Sequence, residues 1–130
     1  MAELLFSNPP GIPAPAARYS LAAEVTGARR WLVLSGQVPT APDGSVPESP
    51  EAQAALVAAH LRTALAHHGM GAAHIVKLTT YLVGRTARAA WQAERDALVG
   101  DGPPPASTQV IVAGLADPRW LLEVELIAAD

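Results

Sequence analysis

The spacing of hydrophobic positions changes along the chain, and each change marks an element. The run WLVLSG (31–36) is aliphatic and β-branched and ends at a glycine, which predicts a strand. YSLAAEV (19–25) predicts a strand before it, with TGARR (26–30) as the turn between them. HIVKLTTYLV (74–83), STQVIVAGL (107–115) and WLLEVELIAA (120–129) predict three more strands, the last two joined by ADPR (116–119). Between the second and third strands the period becomes helical. Ala54, Val57, Ala58, Leu61 and Leu65 form one apolar face. Ser49 suits the N-cap, Pro50 the first helical position and Glu51 the positive pole, and Gly69 suits the stop. A helix over 50–68 would be roughly 28 Å long at the α-helical rise. Thr86 predicts the cap of a second helix, with Ala87, Ala90, Trp91 and Leu98 on one side and an end near Gly100.

The connections carry turn chemistry. The loop 37–49 holds Pro39, Pro42 and Pro47 with Asp43-Gly44, and GDGPPPA (100–106) is a stiff ramp into the fourth predicted strand. Residues 1–18 are expected to be an irregular lead-in. No internal repeat is present. The predicted order is β-β-α-β-α-β-β, a single α+β domain over residues 1–130.

Two helices cover one face of such a sheet. A period of two assigns Leu32 and Leu34, then Val76, Leu78 and Leu82, then Val110 and Val112, then Leu122, Val124, Leu126 and Ala128 to the covered face. The other face then carries Trp31, Val33 and Ser35; Ile75, Lys77, Thr79, Tyr81 and Val83; Gln109, Ile111 and Ala113; and Leu121, Glu123, Glu125 and Ile127. That face is too apolar to stay wet. A further copy of the chain is its simplest cover.

Composition narrows the class. Half of the 130 residues are hydrophobic, only 16% are charged and the formal net charge is −3. The acidic balance argues against a nucleic-acid partner, which would require a basic face. With no cysteine, a disulfide framework and a thiol nucleophile are excluded. The N-terminal stretch has neither a basic region nor a long apolar run, and no segment approaches the ~20 apolar residues of a membrane span. A cytoplasmic protein without membrane contact is expected.

Candidate chemistry is sparse. Glu123 and Glu125 lie two apart on one strand face, about 6.5–7 Å between Cα atoms. Such a pair supplies an acid and a base when burial raises one pKa, or serves as interface ion-pair partners. Leu121 and Ile127 flank the pair on the same face. His60 and His67 are two helical turns apart, and no metal-ligating spacing occurs among the four histidines. No metal is expected. Ser35, Ser107 and Thr108 are not set in a nucleophile turn. Arg29, Arg30, Arg85 and Arg119 are loop arginines able to hold a carboxylate.

Read together, YS (19–20), LVLSGQVP (32–39), EAQ (51–53), IVKLTTYLV (75–83), PPASTQVIVAGL (104–115) and LLEVELIA (121–128) resemble the Rid family, also called YjgF or reactive-intermediate deaminase. The resemblance covers roughly residues 19–129. It implies a chorismate-mutase-like fold and a homotrimer whose central barrel buries the open sheet face, with small-molecule ligands in three intersubunit clefts. Deaminating members hydrolyse enamines and imines, such as 2-aminoacrylate, to 2-keto acids and ammonia, without a cofactor. Their substrate carboxylate is gripped by an arginine at the start of the penultimate strand.

Carried over residue by residue, the resemblance assigns the ligand-shaping tyrosine to Tyr19 and the glycine of Ser-Gly-Gln to Gly36. The helix asparagine falls on Gln92 and the water-positioning glutamate on Glu123, while the arginine position falls on Ser107. Serine cannot form a fork with a carboxylate. The resemblance therefore implies an imine or enamine hydrolase acting on something other than the usual 2-imino acids. The alternative is a non-catalytic trimer that binds a small metabolite or a protein partner in the same clefts.

Overall fold

A computed structural model describes residues 2–130. Eight elements follow in order: β1 (Glu3–Ser7), β2 (Ala22–Thr26), β3 (Trp31–Gln37), α1 (Pro50–His67), β4 (Ile75–Val83), α2 (Arg88–Val99), β5 (Ala106–Val112) and β6 (Leu122–Ala129), with a short 3-10 turn at Ala72–His74 before β4. The α+β class and both helices agree with the hydrophobic pattern. The lead-in does not. Its residues Glu3–Ser7 form β1, antiparallel to β2 in a two-stranded ladder. The alternation Leu4, Phe6 against Leu5 was present but short, and its partner lies beyond a proline-rich stretch.

The main sheet has four strands in the order β3-β6-β4-β5. β6 is antiparallel to both β3 and β4, while β4 and β5 run parallel. α2 provides the crossover that a parallel pair requires. β6 is thus central, and its alternation is the cleanest in the chain, with Leu122, Val124, Leu126 and Ala128 all buried.

α1 forms for the reasons its sequence carries. The Ser49 Oγ accepts the Ala52 N–H at 3.0 Å, and Pro50 occupies the first helical position. Ala54, Val57, Ala58, Leu61 and Leu65 are all buried against the sheet. Gly69 takes φ +70, the left-handed turn that ends the helix. Gln53, on the same helix, is a buried polar staple. Its Nε2 donates to the carbonyls of Pro47 and Arg119 at 2.9 Å each, and its Oε1 accepts the Leu121 N–H at 2.8 Å. α2 starts later than expected. Ala87 is the N-cap residue, Thr86 is exposed, and no side chain caps the helix. Trp91 closes the core on this side, and its Nε1 donates to Thr80 Oγ1 at 3.0 Å.

Two face assignments are corrected by register. Ile75 belongs to the core: the ladder shifts between Ile75 and Lys77, so Ile75 and Val76 are both buried. β5 is reversed along its whole length. Ser107, Gln109 and Ile111 stand beside Leu78, Thr80 and Leu82 on the helix side, whereas Thr108, Val110 and Val112 stand beside Thr79, Tyr81 and Val83 on the open side. β5 is an edge strand, and the space beside α2 at its start is a cavity. Its helix-side positions are therefore free to be polar.

The open face is as apolar as the period of two implied elsewhere. Trp31 is 56% exposed and Val33 71% exposed, with Ile127 beside Val33 on β6 and Val110 exposed on β5. Among the described residues no helix is long and apolar enough to cross a membrane.

Candidate functional site

The start of β5 is held in place by residues 18–20. Prolines 103–105 have no N–H to offer, so only their carbonyls are open to pairing. Ser20 takes two of them. Its N–H donates to the Pro105 carbonyl at 3.0 Å and its Oγ to the Pro104 carbonyl at 2.5 Å. The Arg18 guanidinium donates to the carbonyls of Gly100 and Gly102. Ser20 then bridges Ala106 in parallel. The ramp and the segment before β2 are thereby stitched together, and Tyr19 is brought to the mouth of β5.

The result is a cavity of about 400 Å³ between β5 and α2, lined by Ala16, Ala17, Tyr19, Arg88, Gln92, Arg95, Ser107, Thr108 and Gln109. Three of the five residues singled out from the sequence, Tyr19, Gln92 and Ser107, share this one cavity although they span the chain. Arg88, Gln92 and Arg95 reach it from a single face of α2, at spacings of four and three.

Gly36 and Glu123 lie elsewhere. Glu123 pairs with Tyr81 in the β4–β6 ladder, on the open face, and it does not line the cavity. Gly36 lies within the irregularity in β3 between Leu34 and Gln37, and the Glu123 side chain occupies the space over it. A Cβ on residue 36 would come within 2.7 Å of the Glu123 Cγ and Cδ, so the position accepts glycine alone while Glu123 stays where it is. Beside them the Tyr81 hydroxyl donates to Glu125 Oε1 at 2.6 Å. That hydrogen bond raises the Tyr81 pKa above the ordinary tyrosine value, and burial and the charges of Glu125 and Glu123 add to it. Lys77 Nζ donates to Thr108 Oγ1 at 2.6 Å, tying the open-face cluster to the strand that carries Ser107.

The loop arginines divide clearly. Arg30 is paired with the Asp130 carboxylate and donates to the His68 carbonyl at 3.2 Å. Arg119 forms a fork on Asp117 through Nε at 3.1 Å and Nη2 at 2.8 Å, and that contact lowers the Asp117 pKa to about 2. Arg29 and Arg85 are exposed and do not line the cavity. The arginines at the cavity are Arg88 and Arg95, which the sequence reading passed over. Their signal was present in the spacing Arg88, Gln92, Arg95, once Gln92 had been singled out. The histidines are engaged locally: His60 Nε2 lies 2.8 Å from the Thr40 carbonyl, and His74 Nδ1 accepts the Gly71 N–H at 3.0 Å. Among the described residues no three His, Asp or Glu side chains gather as a metal site.

A four-stranded mixed sheet with two helices on one face, its apolar open side and a cavity at the parallel edge define an α+β protein with the strand order of the L-PSP/YjgF fold. The family described as Endoribonuclease L-PSP matches residues 11–130, and the chain belongs to it. Among solved structures, a Rid-family protein of unknown function, YyfB from Yersinia pestis, is 30% identical over 98% of both chains with a TM-score of 0.86. A YjgF-family member from Neisseria meningitidis is 29% identical over 98% of this chain and 95% of that one, with a TM-score of 0.68. RidA from an Antarctic Psychrobacter is 26% identical over 91% and 93% of the two chains, with a TM-score of 0.70. A comparison with the curated proteins found no match.

Proposed function

We propose that this Rid-family protein hydrolyses an imine or enamine other than the usual 2-imino acids, in clefts formed between three copies of the chain. The observation that carries the reading is the partition of the candidate residues. Tyr19, Gln92 and Ser107 line one cavity, whereas Glu123 lies against Gly36 on the open face. Among the described residues no carboxylate lines the cavity of a single chain. A neighbouring copy seated on the apolar open face would bring a base to it. Glu123 then takes a proton from water as the water oxygen bonds to the imine carbon. The C=N π pair goes to nitrogen, which takes that proton from Glu123 to give a carbinolamine. Glu123 then takes the hydroxyl proton and returns it to nitrogen as the C–N bond breaks, so that ammonia leaves and a carbonyl remains. Tyr19 and Gln92 orient the ligand. The chemistry calls on no cofactor. The test is to generate imines in situ with an amine oxidase and to follow release of carbonyl and ammonia with and without the protein. No acceleration across aliphatic and aromatic imines would leave the non-catalytic binder as the better account.

Ser107 makes a sharper expectation. A hydroxyl at the start of β5 replaces the family's guanidinium fork, and loss of one partner from a buried charge pair costs about 2–5 kcal/mol. Turnover of 2-aminoacrylate, measured as keto-acid release in a coupled assay, is expected to be near the uncatalysed rate. Ser107→Arg is expected to raise it by about tenfold or more, because the fork is restored. Robust wild-type turnover would refute the assignment of Ser107 to the lost anchor.

A further inference from the structure

A second cavity, of about 490 Å³, lies between β1, the 3-10 turn, the end of α2 and the ramp that follows it. It shares no lining residue with the cavity that holds Tyr19 and Ser107. Its floor belongs to the core, because Ile75 and Val99 are both buried. Leu4 and Phe6 reach it from alternate positions of β1 and stop half-buried, while Leu5 between them is exposed.

The space exists because its other walls are small. Ala72 and Ala73 line it from the turn, and Gly100 and Gly102 from the ramp. A Cβ at either glycine would meet no atom within 4 Å. Open volume is thus left against apolar side chains that gain from leaving water.

Polarity is confined to one corner. Asp101 is the only lining residue with a polar side chain. No ion pair among the described residues takes up its carboxylate. The Arg18 guanidinium, which reaches the same ramp, is engaged with the carbonyls of Gly100 and Gly102 instead. An apolar cleft with a single negative charge is the complement of a small cation with an apolar body.

We propose that this second cavity binds a small aromatic amine in its protonated form, with the ring among Leu4, Phe6 and Ile75 and the ammonium at Asp101. A neutral ligand of the same shape gains only the apolar contacts. An acid of that shape meets repulsion from Asp101 in a chain of net charge −3. The site goes beyond the hydrolase reading, and the outcome for either leaves the other standing.

Tryptamine, tryptophol and indole-3-acetate share one ring system and differ in charge. Calorimetric titration at low salt is expected to show tryptamine binding at least about threefold more tightly than tryptophol, the scale of an ion pair at a partly exposed carboxylate. Indole-3-acetate should bind most weakly. Asp101→Asn should erase the preference for tryptamine and leave tryptophol binding unchanged. Gly102 is not at positive φ, so Gly102→Leu can fill the cavity without backbone strain. It should weaken tryptamine binding by about tenfold or more. If circular dichroism shows that this variant does not fold, Ala73→Leu, on the exposed turn, decides in its place. Equal affinities for tryptamine and tryptophol would overturn the site, as would a preference that survives Asp101→Asn or binding that survives the filled cavity. Absence of saturable tryptamine binding would overturn it too, and is the result expected if a neighbouring copy covers β1 and the ramp.

Discussion

Replacing Glu123 by glutamine is expected to lower imine turnover by about 10²–10⁴-fold, the usual contribution of a positioned general base, while leaving the fold and the assembly unchanged. Glutamine is isosteric, so the close approach to Gly36 survives. The amide cannot accept a proton from the attacking water. Rates of carbonyl and ammonia release from the imine turned over by the wild type provide the measurement, with light scattering as the control. Gly36→Ala acts through the same atoms. The new Cβ would need the space that the Glu123 Cγ and Cδ occupy, so the carboxylate must move, and activity should fall although residue 36 itself carries no chemistry. Full activity in Glu123→Gln would remove Glu123 as the base, and Tyr81 and Glu125, joined at 2.6 Å, would be the next groups to test on this face.

If the chain forms the proposed trimer of about three times 13.5 kDa, Val33→Asp is expected to leave it monomeric at micromolar concentration. Val33 is the most exposed of the large hydrophobic residues, at 71%, and it stands beside Trp31 and Ile127 on the open face. A buried, unpaired carboxylate placed there costs about 3–5 kcal/mol per copy, and a three-fold assembly repeats the cost at each interface. The isolated chain should keep its fold, because Val33 contributes nothing to the helix-covered core. Light scattering and circular dichroism separate the two effects. Imine turnover should be lost together with the assembly, since the Tyr19 cavity and Glu123 would no longer meet across copies. A wild-type protein that is monomeric at this concentration would sink both the trimer and the shared site.

The resemblance named site candidates residue by residue, but their distribution over two surfaces was not legible in the sequence. Tyr19, Gln92 and Ser107 did come together. That outcome depends on Ser20 pairing with carbonyls of the proline ramp more than eighty residues away, a contact with no local signature. Glu123 and Gly36 also came together, on a different surface, through the break in register of β3 beside β6. Of the loop arginines named from the sequence, Arg30 and Arg119 are held by Asp130 and Asp117. Arg95, which the hydrophobic pattern did not single out, is buried at the cavity.

What the sequence determined by itself is the part of the fold written in local period and end signals. α1 is the clearest case. Ser49, Pro50 and Gly69 bound it, and five apolar positions on one face must be buried against another element. β6 is the second, because a central strand has a neighbour on each side and one covered face, which leaves strict alternation. Tertiary structure alone decided the edges. β1 is a strand because β2 lies alongside it. β5 turns its polar residues toward α2 because an edge strand there borders a cavity instead of packed core. Hydrophobic spacing reports how buried a position is, averaged over whatever covers it. It does not report which distant segment does the covering, and at a sheet edge that is what sets the direction of each side chain and hence the chemistry of the cavity.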